Sequence, residues 1–194
     1  MATVHLRPAV FLDRDGVIIE NRADYVRSLA EVVYLPGALA ALARLAHARP
    51  DWPILIATNQ SAVGRGLVNL AAVEAINAAI VAKVRAAGGR IDHIYICPHH
   101  PDAGCPCRKP RPGLLQQAAA EWSVDLAASP FIGDALTDIQ AGLAAGARPI
   151  LVRTGLGAEQ TEALQRAGLT PPVVADLPAA VALLLDGFAH RNAP

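Results

Sequence analysis

Apolar positions along the chain fall into two alternating kinds of run. Short unbroken blocks of strand length appear at AVFLD (9–13), PILIAT (53–58), IDHIYI (91–96), PFIGD (130–134) and PILVRTG (149–155). Between them, residues 35–48, 69–89, 112–122, 137–146 and 158–168 mix apolar and polar positions at helical spacing. Pro36 and Pro112 sit near helix starts, Asn69 is placed as an N-cap, and Gly88–Gly89 and Gly146 mark ends. Residues 173–176 predict a short edge strand and 177–188 a last helix. Strands that are apolar throughout are buried on both faces, which calls for parallel pairing with helices above and below. The expectation is a single α/β domain over residues 1–194, Rossmann-like and doubly wound around a mostly parallel sheet. The intervening segments 17–34, 59–68 and 97–111 are short, so no sizeable cap domain is expected.

In such a sheet, ligands bind beyond the carboxyl ends of the strands, and the polar residues of this chain gather there. Asp13-Arg14-Asp15-Gly16 follows the first strand, Thr58-Asn59-Gln60-Ser61 and Gly64-Arg65-Gly66 the second, and Gly133-Asp134 the fourth, with Asp138 behind. Asp13 and Asp15 are two residues apart at a strand end, so both can face one side. Carboxylates that close repel unless a cation lies between them, and a hard divalent ion such as Mg²⁺ suits oxygen ligands.

All three cysteines fall in CPHHPDAGCPC (97–107), and Arg108-Lys109 follows at once. Cys97, Cys105, Cys107 and either His99 or His100 supply a complete tetrahedral set for Zn²⁺, leaving no open position, so the site is expected to be structural. The loop is rich in proline and nearly free of apolar side chains, so it cannot bury a core of its own. Fixing it would also fix the basic pair. Only Lys83 and Lys109 are lysines against fifteen arginines, which makes Lys109 conspicuous beside the loop.

Composition narrows the function. The charge balances at 17 basic and 17 acidic residues, and aromatics are 4%. Neither favours nucleic acid, an anionic membrane or base stacking. No apolar run approaches the ~20 residues of a membrane span. MATVHLRPAV lacks the pattern of a secretory leader. A cytoplasmic monomer is expected. His5, His47, His93, Trp52 and Trp122 are assigned to surface or packing.

The motifs FLDRDG, ATNQS, GRG, CPHHP, CxCRKPxPG and IGDxxTD, taken in order over residues 9–155, resemble the haloacid dehalogenase-like hydrolases. More closely, they resemble the zinc-containing branch of D-glycero-D-manno-heptose-1,7-bisphosphate 7-phosphatases and histidinol-phosphate phosphatases. The resemblance implies a phosphatase acting through an aspartyl-phosphate, with Asp13 as nucleophile and Asp15 as general acid/base. It implies Mg²⁺ on Asp13, the Asp15 backbone carbonyl and Asp134, and Zn²⁺ on Cys97, His99, Cys105 and Cys107. It implies Thr58 and Lys109 on the phosphoryl oxygens, with Asn59, Arg65 and Arg108 holding the rest of a small phosphorylated sugar. Where relatives carry a basic residue after the last motif's aspartate, this chain has Ala135. Tyr25-Val26, GRG and CPHHP favour the heptose bisphosphate over histidinol phosphate or another small sugar phosphate, and leave the anomer open. A zinc-stabilised binding module would explain the cysteine loop, but not the carboxylates at matching strand ends.

Overall fold

The structure, a computed structural model, describes residues 6–189. His5 and the rest of residues 1–5, with residues 190–194, lie outside them. One six-stranded sheet runs through the molecule in the order β3-β2-β1-β4-β5-β6. The strands are β1 (Val10–Leu12), β2 (Ile54–Asn59), β3 (His93–Cys97), β4 (Pro130–Gly133), β5 (Arg148–Val152) and β6 (Val173–Val174). All the pairings are parallel, with Leu12 opposite Ile56 and Ile132, and Asn59 opposite Cys97. This is the doubly wound order with its switch point beside the central β1.

The helices are α1 (Ala38–Ala48), α2 (Ser61–Gly64), α3 (Leu70–Ala86), α4 (Gly113–Trp122), α5 (Leu136–Ala145), α6 (Gly157–Arg166) and α7 (Leu177–Ala189). Val10, Leu12, Ile54 and Ile56 pack with Leu42, Leu45, Ile76, Ile80 and Val181 of α1, α3 and α7. The alternate residues Phe11, Leu55 and Phe131 pack with Leu115 and Ala118 of α4 and Ala141 of α5 on the other face. The continuous apolar character of the strands is thereby explained: each face has its own helical layer. Asn69 caps α3 as its sequence predicts, accepting from the Ala72 amide at 2.7 Å. Pro112 stands at the N-cap of α4, one position before its expected place. The short α2 and three 3₁₀ turns, at Leu29–Glu31, Pro101–Ala103 and Leu126–Ala128, are additions to the predicted elements. A single turn is too short to leave a periodic signal.

Trp122 donates to the Tyr95 hydroxyl at 3.0 Å, and the Arg49 guanidinium lies 5.4 Å from the Trp52 ring centre; both tryptophans pack, as expected. The segment between β1 and α1 holds only the 3₁₀ turn Leu29–Glu31 and isolated bridges joining Ile19 to Asp15 and Tyr34. It forms a low flap and no cap domain. Among the described residues, no helix is long and apolar enough to cross a membrane.

Candidate active site

The carboxyl ends of β1, β2 and β4 open into a cleft of about 250 Å³. Asp13, Asp15, Asn59, Arg108, Lys109, Asp134 and Asp138 line it, and Asn21, Arg22, Tyr25 and Val26 of the flap form one wall. Asp13 directly follows β1, and its Oδ1 accepts from the Arg14 amide at 2.7 Å. Its Oδ2 lies 3.0 Å from Lys109 Nζ, which also meets Asp138 Oδ1 at 2.6 Å. Lys109 is 2% exposed, so these two carboxylates offset its buried charge. Against a burial that would lower it, they hold the Lys109 ammonium above the ordinary lysine range. Asp138 belongs to the site through this pair, and its Oδ2 accepts from the Ala135 amide at the start of α5, at 3.0 Å.

Asp134 ends β4 with its Oδ2 accepting from the Leu156 amide at 2.8 Å. Its carboxylate fits only because two backbones leave room. A Cβ on Gly16 (φ +79°) or Gly155 (φ +59°) would overlap it, and both residues have left-handed backbones that favour glycine. Thr154 Oγ1 donates to the Gly16 carbonyl at 2.6 Å, tying the two loops together. Ligand atoms of Asp13, Asp134 and Asp138 lie within 4.8 Å of one another. Burial, with Asp138 and Asp15 adding to it against Lys109, pushes the Asp13 carboxyl up to about 7. Burial and the neighbouring Asp13 and Asp138 push Asp134 up to about 8. Clustered carboxylates destabilised in this way form a site whose chemistry fits a hard divalent cation.

The second cluster lies in the loop after β3. His99 Nδ1 is 3.2 Å from Cys107 Sγ and 3.6 Å from Cys97 Sγ. The sulfurs are 3.3–3.6 Å apart. They are not bonded to one another, and their separations approach the ~3.8 Å edges of a tetrahedron built on ~2.3 Å Zn–S bonds. His100 turns away, its Nδ1 accepting from the Asp102 amide at 3.3 Å. The choice between the two histidines, which spacing leaves open, is decided by the turn at Pro101. Crowding makes the proton affinities of the thiols diverge. Burial and the neighbouring sulfurs push Cys107 up to about 12. Hydrogen bonds from Cys107 and the Arg108 backbone overcome desolvation to draw Cys105 down to about 7.

The comparisons with known proteins agree with this geometry. The HAD-hydrolase-like family matches residues 106–180. The chain is 44% identical over 153 residues to the D-glycero-β-D-manno-heptose-1,7-bisphosphate 7-phosphatase of Pseudomonas putida, covering 79% of this chain and 86% of that one. It is 46% identical over 148 residues to the enzyme of the same name from Bordetella bronchiseptica, covering 76% and 82%. This chain belongs to the heptose-bisphosphate phosphatase family of haloacid dehalogenase-like hydrolases. A crystal structure of the B. bronchiseptica D,D-heptose 1,7-bisphosphate phosphatase, complexed with magnesium and phosphate, superposes with a TM-score of 0.86 at 42% identity. The match covers 93% of this chain and 99% of that one.

Of the residues marked by resemblance to this phosphatase family, Asp13, Asp15, Lys109 and Asp134 meet in the cleft. Arg108 joins them with its Nη1 buried and without a hydrogen-bond partner. Thr58 lies one residue before the end of β2 at 1% exposure, its Oγ1 accepting from Gln60 Nε2 at 2.9 Å. Asn59 and Arg65 sit differently from the other marked residues. Asn59 spends both ends of its amide on the Lys109 backbone, donating to its carbonyl (3.2 Å) and accepting from its N–H (3.1 Å). It holds the Lys109 backbone in place and still lines the cleft, with one N–H and one lone pair of its amide uncommitted. Arg65 lies exposed at the end of α2, outside the cleft-lining residues, because the turn of α2 carries it away from the strand end.

Sequence reasoning passed over Arg14, Gln60 and Asn77, which are buried around Asp15. The available signals were a basic residue lodged between two aspartates and an amide on the apolar face of α3.

Proposed function

We propose that this chain is a Mg²⁺-dependent phosphatase that removes the 7-phosphate of D-glycero-β-D-manno-heptose 1,7-bisphosphate. The observation that carries the reading is the convergence of the Asp13 carboxylate, the Lys109 ammonium and the unpartnered Arg108 Nη1 on one open cleft. A nucleophile held beside a buried cation and an unsatisfied guanidinium is what phosphoryl transfer to a carboxylate requires. The β anomer is taken from the names of the relatives.

Asp13 attacks phosphorus, and the bond from phosphorus to the sugar oxygen breaks. Asp15 gives its proton to that oxygen and so becomes a carboxylate. It then takes a proton from water, whose oxygen attacks phosphorus and releases Asp13 and inorganic phosphate. Lys109 and the Thr58 hydroxyl donate to the phosphoryl oxygens, where charge builds during transfer. Arg108, with its planar fork, holds the remainder of the substrate. Asp13, Asp134 and Asp138, with the Asp15 backbone carbonyl, would hold Mg²⁺, which when bound offsets the charge shared by phosphate and carboxylates. Cys97, His99, Cys105 and Cys107 would hold Zn²⁺: thiolates and imidazole select zinc, and four protein ligands leave it structural.

The test is phosphate release from both heptose bisphosphate anomers, fructose 1,6-bisphosphate and histidinol phosphate, compared by kcat/KM for wild type and Asp13→Asn. The β-heptose bisphosphate should be preferred and Asp13→Asn should be inactive while still folded. A preference for histidinol phosphate would overturn the substrate. Wild-type turnover persisting in Asp13→Asn would overturn the covalent mechanism.

A further inference from the structure

A buried polar chain runs from α3 to Asp15. Arg14 is 1% exposed. Its Nη1 donates to Asn77 Oδ1 at 2.8 Å, and its Nη2 to Gln60 Oε1 at 3.0 Å. The same guanidinium then forks onto Asp15, from Nη2 to Oδ1 at 3.1 Å and from Nε to Oδ2 at 3.2 Å. Gln60 Nε2 adds a third bond, to Asp15 Oδ2 at 2.8 Å. Both oxygens of this carboxylate are therefore held from behind, while its side chain keeps 21% exposure.

We infer that Asn77, together with Gln60, is a positioning residue for Asp15. The two amides fix the plane of the Arg14 guanidinium, and the fork fixes the carboxylate that moves the proton. The inference rests on the acid–base role given to Asp15 above. Asn77 does not line the cleft, so it acts only through Arg14.

Three observations support it. A guanidinium is planar, and once it has committed hydrogens to Asn77, Gln60 and both Asp15 oxygens it has one orientation left. Asn77 interrupts the apolar face of α3, whose other buried residues are Val73, Ile76, Ile80 and Val84. Its Nδ2 is buried without a partner, a cost that an apolar residue of similar shape would avoid. The position retains an amide because its Oδ1 is what Arg14 needs. Proton transfer tolerates little misplacement of the acid, so freeing the fork should slow chemistry without weakening substrate binding.

The experiment compares wild type with Asn77→Leu, Asn77→Asp and Asp15→Asn. Steady-state kinetics use a sugar phosphate, whose alkoxide must be protonated to leave. A rapid-quench experiment uses 2,4-dinitrophenyl phosphate, whose phenolate leaves without a proton. In Asn77→Leu, kcat on the sugar phosphate should fall about 10- to 100-fold, part of the ~10²–10⁴ that a positioned acid–base group supplies, with KM held within about twofold. A burst of dinitrophenolate near one per site should survive in Asn77→Leu and in Asp15→Asn, because Asp13 can still be phosphorylated. Asn77→Asp keeps an acceptor at the same atom and should recover most of kcat. If Asn77→Leu does not fold, Asn77→Ala, with its high helix propensity, takes its place under the same expectations. Near-normal kcat in the Leu or Ala variant beside an inactive Asp15→Asn would overturn the inference and leave the role of Asp15 standing. Loss of burst and turnover together would place the defect at the phosphate site and also overturn it. Turnover retained by Asp15→Asn would instead remove the acid–base reading on which the inference rests.

Discussion

At position 109 the chain places one of its two lysines where an arginine would not fit. Nζ lies 2.6 Å from Asp138 and 3.0 Å from Asp13 in a site that leaves the side chain 2% exposed. A compact ammonium can meet two carboxylates and a phosphoryl oxygen at once, whereas a planar guanidinium needs more room and a different approach. Lys109→Arg should therefore lower kcat about a hundredfold or more with charge conserved; near-normal kcat in steady-state assays would remove Lys109 from the phosphate site. Lysine scarcity made this residue legible in the sequence. Asn59 shows what spacing leaves out. Its type and place at a strand end are those of a substrate contact, and only the three-dimensional path of residues 97–109 shows that its amide also bonds the Lys109 backbone.

The cysteine loop links local order to the site. Cys107 stands two residues before Lys109, and Arg111 Nη1 donates to the Cys105 carbonyl at 2.6 Å, so the cysteine–histidine cluster and the basic pair share one short stretch of backbone. With little apolar surface to bury, this stretch draws its order from the ligands it can bind. Cys107→Ser should lose copurifying zinc, measured by elemental analysis, and should lose activity that excess Mg²⁺ does not restore. A zinc-free Cys107→Ser protein with full activity would show that the loop does not position Lys109. The cysteine cluster was readable from spacing except for its histidine, where the chain turns His99 toward the sulfurs and His100 toward Asp102. In the same way α2 escaped notice, yet its single turn is what carries Arg65 out of the cleft.

Across the whole molecule, folding brings Asp13 and Asp134 together from the ends of neighbouring strands, and the burial this entails makes stability depend on pH. Their carboxyls rise from 3.8 to about 7 and about 8. A carboxyl raised on folding contributes stability that is fully present below its unfolded value and is lost as pH rises through its folded value. In magnesium-free buffer the melting temperature should therefore fall between about pH 5.5 and about pH 8.5, and Mg²⁺ should raise it more at the higher pH. A magnesium effect independent of pH would contradict the carboxylate cluster as the cation site. By itself the sequence determined the strands, the longer helices and the parallel pairing, because unbroken apolar strands must be covered on both faces. It marked the strand-end aspartates and the cysteine loop too, because those residue types at those spacings have few other uses. The tertiary structure alone decided which polar groups face the cleft and which face each other. Gln60 and Asn77 lie 46 and 63 residues along the chain from Arg14, whose guanidinium joins them. Their hydrogen bonds depend on β1, β2 and α3 packing side by side, and one-dimensional spacing carries no record of that.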